Sequence, residues 1–273
     1  LTADQRVIDA EVRALTANGH GDSVSRVWGH QQKDALRAFE ERMAELVQAE
    51  DAVVCSSGYT ANVGLIQAMA APKTPVYLDM KAHMSLWEGV ASARAVGRPF
   101  RHNDAEHLTR LIERHGPGII VVDALYSTDG AVCNLLDFVR VSEALGCVLI
   151  VDETHSFGTH GPMGAGLVVK EGLADRVHFR TVGLSKAVAS RGGIVLCSRR
   201  NAEFFRYQAY PSIFSTSVLP HEVAGYNAVL DILEREDWRR HRLHRNHTYL
   251  RSRIAALGYN VENCHSQIVS LEP

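Results

Sequence analysis

Apolar residues recur at two spacings along this chain, one typical of helices and one typical of buried strands. Residues 33–48 place Leu36, Phe39, Met43 and Leu46 on one helical face, which predicts an amphipathic helix. Several later segments are continuous apolar runs, as expected for strands that are covered by helices on both faces of a sheet.

Helical and strand-like segments alternate through most of the sequence. The predicted helices cover 33–48, 61–70, 84–95, 104–115 and 135–145. The predicted strands cover 51–57, 75–79, a short run around Phe100, 118–125, 147–152, 176–182 and 193–198. This alternation predicts an α/β fold with a mainly parallel sheet.

Composition narrows the class of protein. With 273 residues and 46% hydrophobic content, the chain can bury a large core. Its formal net charge of −2 argues against nucleic acid or an anionic membrane as a partner. The 5 cysteines are scattered without CxxC spacing, so we expect no disulfide framework, no zinc site and a reducing, cytoplasmic location. No signal peptide is recognised, and no apolar run approaches the ~18 residues of a membrane span.

Polar residues follow five of the predicted strands, at the point where each strand ends. In open α/β sheets, ligands bind outside the carboxyl ends of the strands. No single segment is specific, but their coincidence indicates one site at this edge. The segments are SSGY (56–59), DMKAH (79–83), YSTDG (126–130), DETHSFG (152–158) and GLSK (183–186).

These residue types suit one kind of chemistry. Lys186 lies among small and apolar residues, and a desolvated lysine can form a Schiff base with an aldehyde cofactor. Asp152 ends a strand, where a carboxylate can keep a pyridinium nitrogen protonated. The segment SSGYTAN leads from a strand through glycine into a helix, whose N-terminus can bind a phosphate.

Seven motifs then follow in order: SGYTAN (57–62), DMKAHMS (79–85), HND (102–104), YSTDG (126–130), DETHSFGTHG (152–161), GLSKA (183–187) and FSTS (214–217). Together they resemble the α-oxoamine synthases, pyridoxal-phosphate enzymes of fold type I. The resemblance runs from about residue 21 to the last residue. It implies a mainly parallel seven-stranded sheet flanked by helices, and the joining of an acyl-CoA to an amino acid with decarboxylation.

The resemblance also implies the catalytic roles. Lys186 would form the Schiff base with pyridoxal 5'-phosphate and move the substrate α-proton. Asp152 would pair with the pyridine nitrogen of the cofactor. His155 would hydrogen-bond its phenolic oxygen, and His83 would stack over its ring and contact the substrate.

Further cofactor contacts are implied at the phosphate end and across a dimer. Gly58 and Tyr59 would line the phosphate, and Ser127 would reach the cofactor ring. Ser215 and Thr216 resemble the segment that touches the phosphate bound to the other subunit in family dimers. The resemblance therefore implies a homodimer with shared active sites.

The sequence departs from the family pattern near the lysine. Gly183 stands where the family has a threonine or serine whose hydroxyl contacts the phosphate. We expect Ser185 or Thr181, or the partner subunit, to replace that contact. Thr154 replaces the alanine of the usual DE-A-H pattern, at a position where we expect no chemistry.

Three regions are predicted along the chain. Residues 1–20 form an N-terminal helical segment, and residues 21–235 form the large cofactor-binding domain. Residues 236–273 form a linking helix and the start of a smaller C-terminal α/β domain. The arginine that binds the substrate carboxylate in the family cannot be assigned within 1–273.

Two stretches indicate a branch of the family. The segments SQIVSLEP (266–273) and HMSLWEG (83–89), with its bulky Trp87, resemble the α-hydroxyketone autoinducer synthases of quorum sensing. That branch would condense a medium-chain acyl-CoA with S-adenosylmethionine or 2-aminobutyrate. The alternative is a synthase of the kind found in biotin synthesis or threonine breakdown.

Plainer interpretations exist for several of these residues. Asp152 and His155 alone could be a helix cap or half of a metal site, but no second pair stands at ligand spacing. In HND (102–104), Asn103 or Asp104 is expected to cap the following helix. Cys55 and Cys197 are expected to be buried packing residues.

Two rival functions belong to other classes. Residues 235–253 contain seven arginines and three histidines, a composition also found in nucleic-acid-binding arms. Leu243, Leu250, Ile254 and Leu257 have helical spacing, however, so we interpret these charges as the solvated side of a helix. The second rival is a non-catalytic regulator with this fold, against which the complete set of candidate catalytic residues argues.

Overall fold

A computed structural model of the protein describes residues 1–28, 33–261 and 264–271. Within these ranges the chain forms one seven-stranded sheet. The strands are β1 Asp51–Cys55, β2 Pro75–Asp79, β3 Val96–Phe100, β4 Ile119–Asp123, β5 Val148–Asp152, β6 Phe179–Gly183 and β7 Gly193–Cys197.

Strand order in this sheet is β1-β7-β6-β5-β4-β2-β3. The five strands from β6 to β3 are mutually parallel, and β7 is antiparallel to both β1 and β6. The predicted mainly parallel seven-stranded sheet is therefore confirmed. β3 is an exposed edge strand that contains Pro99. Proline cannot donate a ladder hydrogen bond, and an edge strand tolerates it because one of its sides has no partner strand.

Helices cover both faces of the sheet. In the described residues they are α1 Gln5–Asn18, α2 Lys33–Leu46, α3 Gly58–Met69, α4 Met84–Ser92, α5 Ala105–His115, α6 Leu135–Leu145, α7 Leu167–Lys170, α8 Arg199–Gln208, α9 Tyr210–Ile213, α10 Pro220–Arg235 and α11 Trp238–Ala256. Three buried apolar clusters form where these helices pack on the sheet. The apolar runs of β4 and β7 are buried along their whole length, as the sequence predicts.

Helix α3 begins earlier than its apolar pattern predicts, at Gly58 rather than residue 61. The Ser57 hydroxyl accepts a hydrogen bond from the Thr60 amide, and the Ser57 amide donates to the Thr60 hydroxyl. This reciprocal capping box starts the helix at the end of β1. The N-terminus of α3 consequently lies at the edge of the sheet where the polar segments meet.

The chain outside the central sheet is mainly helical. Helix α1 packs on α10. Helix α11 contains most of the basic stretch 235–253, and Arg239 and Arg240 form ion pairs with Asp4 and Asp237. Arg240 is only 6% exposed, so not all of these charges lie on a solvated side of the helix. Leu250 and Leu257 are exposed. The division into regions 1–20, 21–235 and 236–273 stays a prediction.

No helix in the described residues is long and apolar enough to cross a membrane. All five cysteines are unpaired and buried. Burial raises the pKa of Cys55 and of Cys197 to about 12, so both thiols are packing residues, as predicted. Asp104 caps α5 by accepting a hydrogen bond from the His107 amide, which confirms the interpretation of HND (102–104).

A buried carboxylate connects α2 to the sheet. Glu40 accepts a hydrogen bond from the Val54 amide at 2.7 Å and from the Arg26 guanidinium at 2.8 Å. The same guanidinium donates to the Val54 carbonyl, and Arg206 lies 3.6 Å from the Glu40 carboxylate. Because Glu40 is only 1% exposed, removal of its charge leaves these donors without their acceptor.

We predict that Glu40→Ala lowers the free energy of unfolding by about 3–5 kcal/mol, the cost of breaking a buried ion pair. Its neighbour Glu41 is 62% exposed and pairs with Arg37 on the helix surface, so Glu41→Ala should change stability by about 0.5 kcal/mol or less. Urea unfolding of the two variants measures both values. Equal small losses in both would contradict the account of Glu40.

Candidate active site

Three aspartates end parallel strands at one edge of the sheet. Asp79 ends β2, Asp123 ends β4 and Asp152 ends β5, and all three are buried. Asp123 is paired in register with Asp152, and Asp152 with Thr181 of β6. Because in-register neighbours of a sheet point to the same face, the side chains of Asp123, Asp152 and Thr181 lie side by side. Asp79 follows Leu78, the partner of Val121, and therefore points to the other face of the sheet.

Asp123 and Asp152 form a pair of neighbouring buried carboxyl groups with different surroundings. Burial, followed by the charge of Asp152, raises the pKa of Asp123 well above its usual range. Asp152 accepts hydrogen bonds from the Asn62 side chain at 2.7 Å and from the Thr154 amide at 2.8 Å. The arrangement favours a neutral Asp123 beside the hydrogen-bonded Asp152 side chain.

His83 lies at the start of α4, directly after the β2 strand end. Its backbone amide donates to Asp123 Oδ1 at 3.3 Å, and its ring Nδ1 lies 2.7 Å from the Ser85 hydroxyl. The ring is exposed toward the site. Trp87 donates its indole N–H to the Ala82 carbonyl and packs against the core, so Trp87 supports the turn that carries His83.

His155 lies three residues after Asp152, on the turn that follows β5. Burial lowers the pKa of His155, the Asp152 carboxylate opposes that shift, and the positive charges of Lys186 and His83 add to it. The four predicted catalytic residues are thus close enough to interact. They come from three segments of the chain: the start of α4, the end of β5 with the turn that follows it, and the turn after β6.

Lys186 follows β6 and is exposed at the site. No ion pair or hydrogen bond of its ammonium occurs within the described ranges. Its side chain borders a cavity of about 460 Å³ that is also lined by Gly158, Thr159 and Leu233. The small residues around Lys186 therefore leave its amine free, although a single chain does not desolvate it as the sequence suggested.

Backbone segments approach closely at the N-terminus of α3. A Cβ on Gly58 would lie 2.8 Å from Gly183 Cα, so position 58 requires glycine as long as these segments touch. The Gly183 amide donates to the Thr154 hydroxyl at 2.8 Å. A Cβ on Gly183 would lie 3.0 Å from the Thr154 methyl group, so Thr154 fills the space that a side chain at 183 would need.

Thr154 was assigned no chemical role from the sequence, and the structure gives it a specific place. Its hydroxyl lies beside Gly183, where the resemblance leads one to expect a hydroxyl on residue 183 itself. Of the two substitutes predicted from the sequence, Ser185 is exposed and Thr181 is buried with an unpartnered hydroxyl. The two departures from the implied family pattern, Gly183 and Thr154, are therefore neighbours in the structure, and the hydroxyl is on residue 154 instead of residue 183.

The remaining predicted residues lie around the rim. Tyr59, Ser127, Ser185 and Thr216 are exposed. Ser215 donates to the Pro211 carbonyl at the end of α9. Among the described residues, neither Ser215 nor Thr216 is hydrogen-bonded to the strand-end residues of its own chain.

The segment 264–271 closes one side of the site. Gln267 donates its side-chain amide to the His155 carbonyl at 2.8 Å, and Ser266 donates to the Gly130 carbonyl at 2.9 Å. This segment carries most of SQIVSLEP, whose last two residues lie outside the described ranges. It therefore contacts both loops that carry predicted cofactor residues, 126–130 and 152–158.

Four polar residues of the site were missed or set aside in the sequence: Asn62, Ser85, Asp123 and Thr154. Asp123 ends an apolar strand just as Asp152 does, and that signal was available. Asn62 lies four residues after Gly58, on the same face of α3. No group of three or more side chains suited to a metal ion is found in the described part of the chain.

The sequence is similar to a known protein family and to curated proteins. The family model for aminotransferase class I and II matches residues 6–272. The CAI-1 autoinducer synthase of Vibrio campbellii is 42% identical over 89% of this chain and 61% of its own length. A putative 8-amino-7-oxononanoate synthase of Halalkalibacterium halodurans is 38% identical over 85% of this chain and 60% of its own length. The chain thus spans about three fifths of these two relatives.

Solved structures of similar enzymes superpose on most of this chain. A serine palmitoyltransferase variant from S. paucimobilis, solved with bound PLP and myriocin, superposes with a TM-score of 0.93 and 30% identity. It covers 100% of this chain, which in turn covers 72% of it. The 8-amino-7-oxononanoate synthase of Francisella tularensis shares the fold, with a TM-score of 0.86 over 97% of this chain and 76% of its own, at 23% identity.

The sheet and its strand-end lysine and aspartate define the fold of the type I pyridoxal-phosphate enzymes. The chain belongs to the aminotransferase class I and II family and, within it, to the α-oxoamine synthases indicated by its motifs.

We predict that charge changes at the site shift the titration of His155 in the cofactor-free protein. Asp152→Asn should lower the pKa of His155 further, because it removes a stabilising negative charge. Lys186→Met should raise that pKa, because it removes a repelling positive charge. Each shift should be about half a pH unit, as for single charges near a protein surface, and NMR titration of the ring measures it.

Lys170→Met is the matched control. Lys170 acts on His160, whose pKa burial lowers to about 4, with smaller contributions from His244 and Lys170. The control should raise the pKa of His160 and leave that of His155 unchanged. If the pKa of His155 is the same in Asp152→Asn, Lys186→Met and the wild type, the side chains of Asp152 and Lys186 do not lie close to His155.

Proposed function

We propose that this protein is a pyridoxal-phosphate-dependent acyltransferase that condenses an acyl-CoA with an amino donor to give an aminoketone. The observation that carries the proposal is that Lys186, Asp152, His155 and His83 lie at strand ends of one sheet edge, with the other three close enough to shift the pKa of His155. A free amine and a buried, doubly hydrogen-bonded carboxylate are the pair that such chemistry requires. A non-catalytic regulator would have no need of this complete set.

The residues present fit pyridoxal phosphate. Gly58 starts α3 and packs against Gly183, and a helix N-terminus that begins with a residue lacking a side chain is a position suited to a phosphate. The Thr154 hydroxyl, already accepting from the Gly183 amide, keeps its own proton available as a donor. Asp152 supplies the carboxylate for the pyridine nitrogen. We propose that Gly58, Tyr59 and Thr154 hold the phosphate end.

Bound pyridoxal phosphate supplies an electron sink for a carbanion at the substrate α-carbon. Lys186 would hold the cofactor through its amine and would take the α-proton on Nζ. Asp152 would keep a proton on the pyridine nitrogen, and His155 would donate to the phenolic oxygen. His83 would face the ring and the substrate, and Ser127 would contact the ring.

The substrates proposed are a medium-chain acyl-CoA and either S-adenosylmethionine or 2-aminobutyrate, as for an autoinducer synthase. The 42% identity to the CAI-1 autoinducer synthase supports this branch over the 8-amino-7-oxononanoate synthases, of which the example above is 38% identical. The contact of Gln267 with the His155 carbonyl gives the SQIVSLEP segment a place at the site. A synthase of the 8-amino-7-oxononanoate type is the second candidate.

A homodimer with a shared site completes the proposal. Ser215 and Thr216 follow α9, next to the exposed aromatic residues Tyr207, Tyr210 and Phe214. Such an apolar surface is typical of a protein–protein contact. In the dimer, Ser215 and Thr216 would contact the phosphate bound to the partner subunit.

We predict that the protein, supplied with pyridoxal phosphate, releases CoA from medium-chain acyl-CoA only when an amino donor is present. A thiol-reactive dye measures the release, with S-adenosylmethionine, 2-aminobutyrate, glycine, L-alanine and L-serine as donors. Lys186→Ala should fold normally and lose at least about a hundredfold in rate, because it removes the proton-transfer group.

Lys170→Ala provides the control, since Lys170 borders a different cavity. It should keep the wild-type rate. A rate for Lys186→Ala equal to wild type would contradict the proposed role, and a preference for L-alanine over the first two donors would favour the second candidate.

A further inference from the structure

A single buried amide contacts two of the proposed catalytic groups. Asn62 lies in α3 and is 2% exposed. Its Nδ2 donates to Asp152 Oδ2 at 2.7 Å and to the Ser85 hydroxyl at 2.9 Å. Because a side-chain amide nitrogen carries two hydrogens, Asn62 can make both bonds at once.

The direction of the hydrogen bonds continues from Ser85 to His83. Ser85 is 0% exposed and accepts from Asn62, so its hydroxyl proton is available to His83 Nδ1 at 2.7 Å. The Ser85 amide also points at the same nitrogen, at 3.3 Å. Nδ1 therefore acts as an acceptor, and a neutral His83 ring carries its proton on Nε2.

The orientation of the Asn62 amide is fixed by its surroundings. Its Oδ1 is buried without a partner among the described residues. A flipped amide would bring this oxygen against the carboxylate of Asp152 and would remove the donor to Ser85. In the observed orientation Oδ1 has no hydrogen-bond partner among the described residues, but Nδ2 donates to both Asp152 and Ser85.

We propose that Asn62 is the positioning residue of this site, fixing the Asp152 carboxylate directly and the tautomer and orientation of the His83 ring through Ser85. The inference rests on the proposed function for its catalytic meaning, but the hydrogen-bond chain itself can be tested without cofactor or turnover. The two side-chain hydrogen bonds of Asn62 go to Asp152 and Ser85, so Asn62 acts through these residues. It links Asp152, proposed for the pyridine nitrogen, to His83, proposed for the face of the ring.

The first experiment measures the His83 tautomer in the cofactor-free protein by ¹⁵N NMR of histidine side chains at a pH where the ring is neutral. His83→Gln assigns the signal. The wild type should show an unprotonated Nδ1 and a protonated Nε2. Ser85→Ala and Asn62→Leu should each convert this single tautomer into a mixture; in Ser85→Ala only the longer 3.3 Å bond from the amide of residue 85 still favours an unprotonated Nδ1.

The second experiment titrates each variant with pyridoxal 5'-phosphate and follows visible absorbance. Asn62→Leu should raise the dissociation constant about tenfold, because Asp152 loses a charge-assisted hydrogen bond. Ser85→Ala should change it less than about twofold, because the bond from Asn62 to Asp152 remains. Asn227→Leu should match wild type, because the side chain of this half-buried asparagine in α10 donates to the Val223 carbonyl of the same helix.

These variants separate the possible outcomes. An unchanged His83 tautomer and unchanged affinity in a folded Asn62→Leu protein would overturn the proposal, as would an equal loss of affinity in Asn227→Leu. If Asn62→Leu fails to fold, the tautomer of Ser85→Ala still decides the His83 half. A wild-type protein that binds no pyridoxal phosphate would instead refute the proposed function, and the tautomer comparison would then judge the hydrogen-bond chain alone.

Discussion

The register of β5 against its two parallel neighbours places Asp123, Asp152 and Thr181 side by side at the edge of the sheet. Two buried carboxyl groups on adjacent strands repel each other when both are charged, so this register is tolerable only if their surroundings differ. Burial and the Asp152 charge raise the pKa of Asp123, while Asp152 receives donors from Asn62 and the Thr154 amide. Asp123 is therefore favoured in its neutral form, and Asp152 is the member of the pair that receives the two short hydrogen bonds.

The other parts of the site follow from the same sheet edge. The capping box at Ser57 directs the N-terminus of α3 to this edge and, one turn later, brings Asn62 to Asp152. The β6 end brings Gly183 against Gly58 and Thr154, and Lys186 follows three residues further on. An amine, a carboxylate and two imidazoles thus lie at the same sheet edge as the N-terminus of α3, which begins with Gly58. This combination is the basis for proposing pyridoxal phosphate there.

The strands could be predicted from the sequence because burial on both faces produces continuous apolar runs, and 75–79 matches β2 Pro75–Asp79 residue for residue. The strand-end positions of Asp152, His155, His83 and Lys186 followed from the same pattern. The link between Thr154 and Gly183 could not be predicted, because it is a contact between two loops that only the folded sheet brings together. Asn62 was hidden for the same reason, since its partner Asp152 lies 90 residues away. The domain division and the partner-facing roles of Ser215 and Thr216 stay predictions, because one chain contains neither the rest of its relatives' length nor a second subunit.

The central claim is that Lys186 holds pyridoxal phosphate at this strand-end site. Reduction of the protein with borohydride after incubation with pyridoxal phosphate, followed by proteolysis and mass spectrometry of the peptides, tests it most directly. The account predicts a single phosphopyridoxyl group on the peptide that contains Lys186, and none on peptides that contain Lys81 or Lys170. Labelling spread over several lysines, or an unmodified Lys186 peptide in a protein saturated with cofactor, would contradict it.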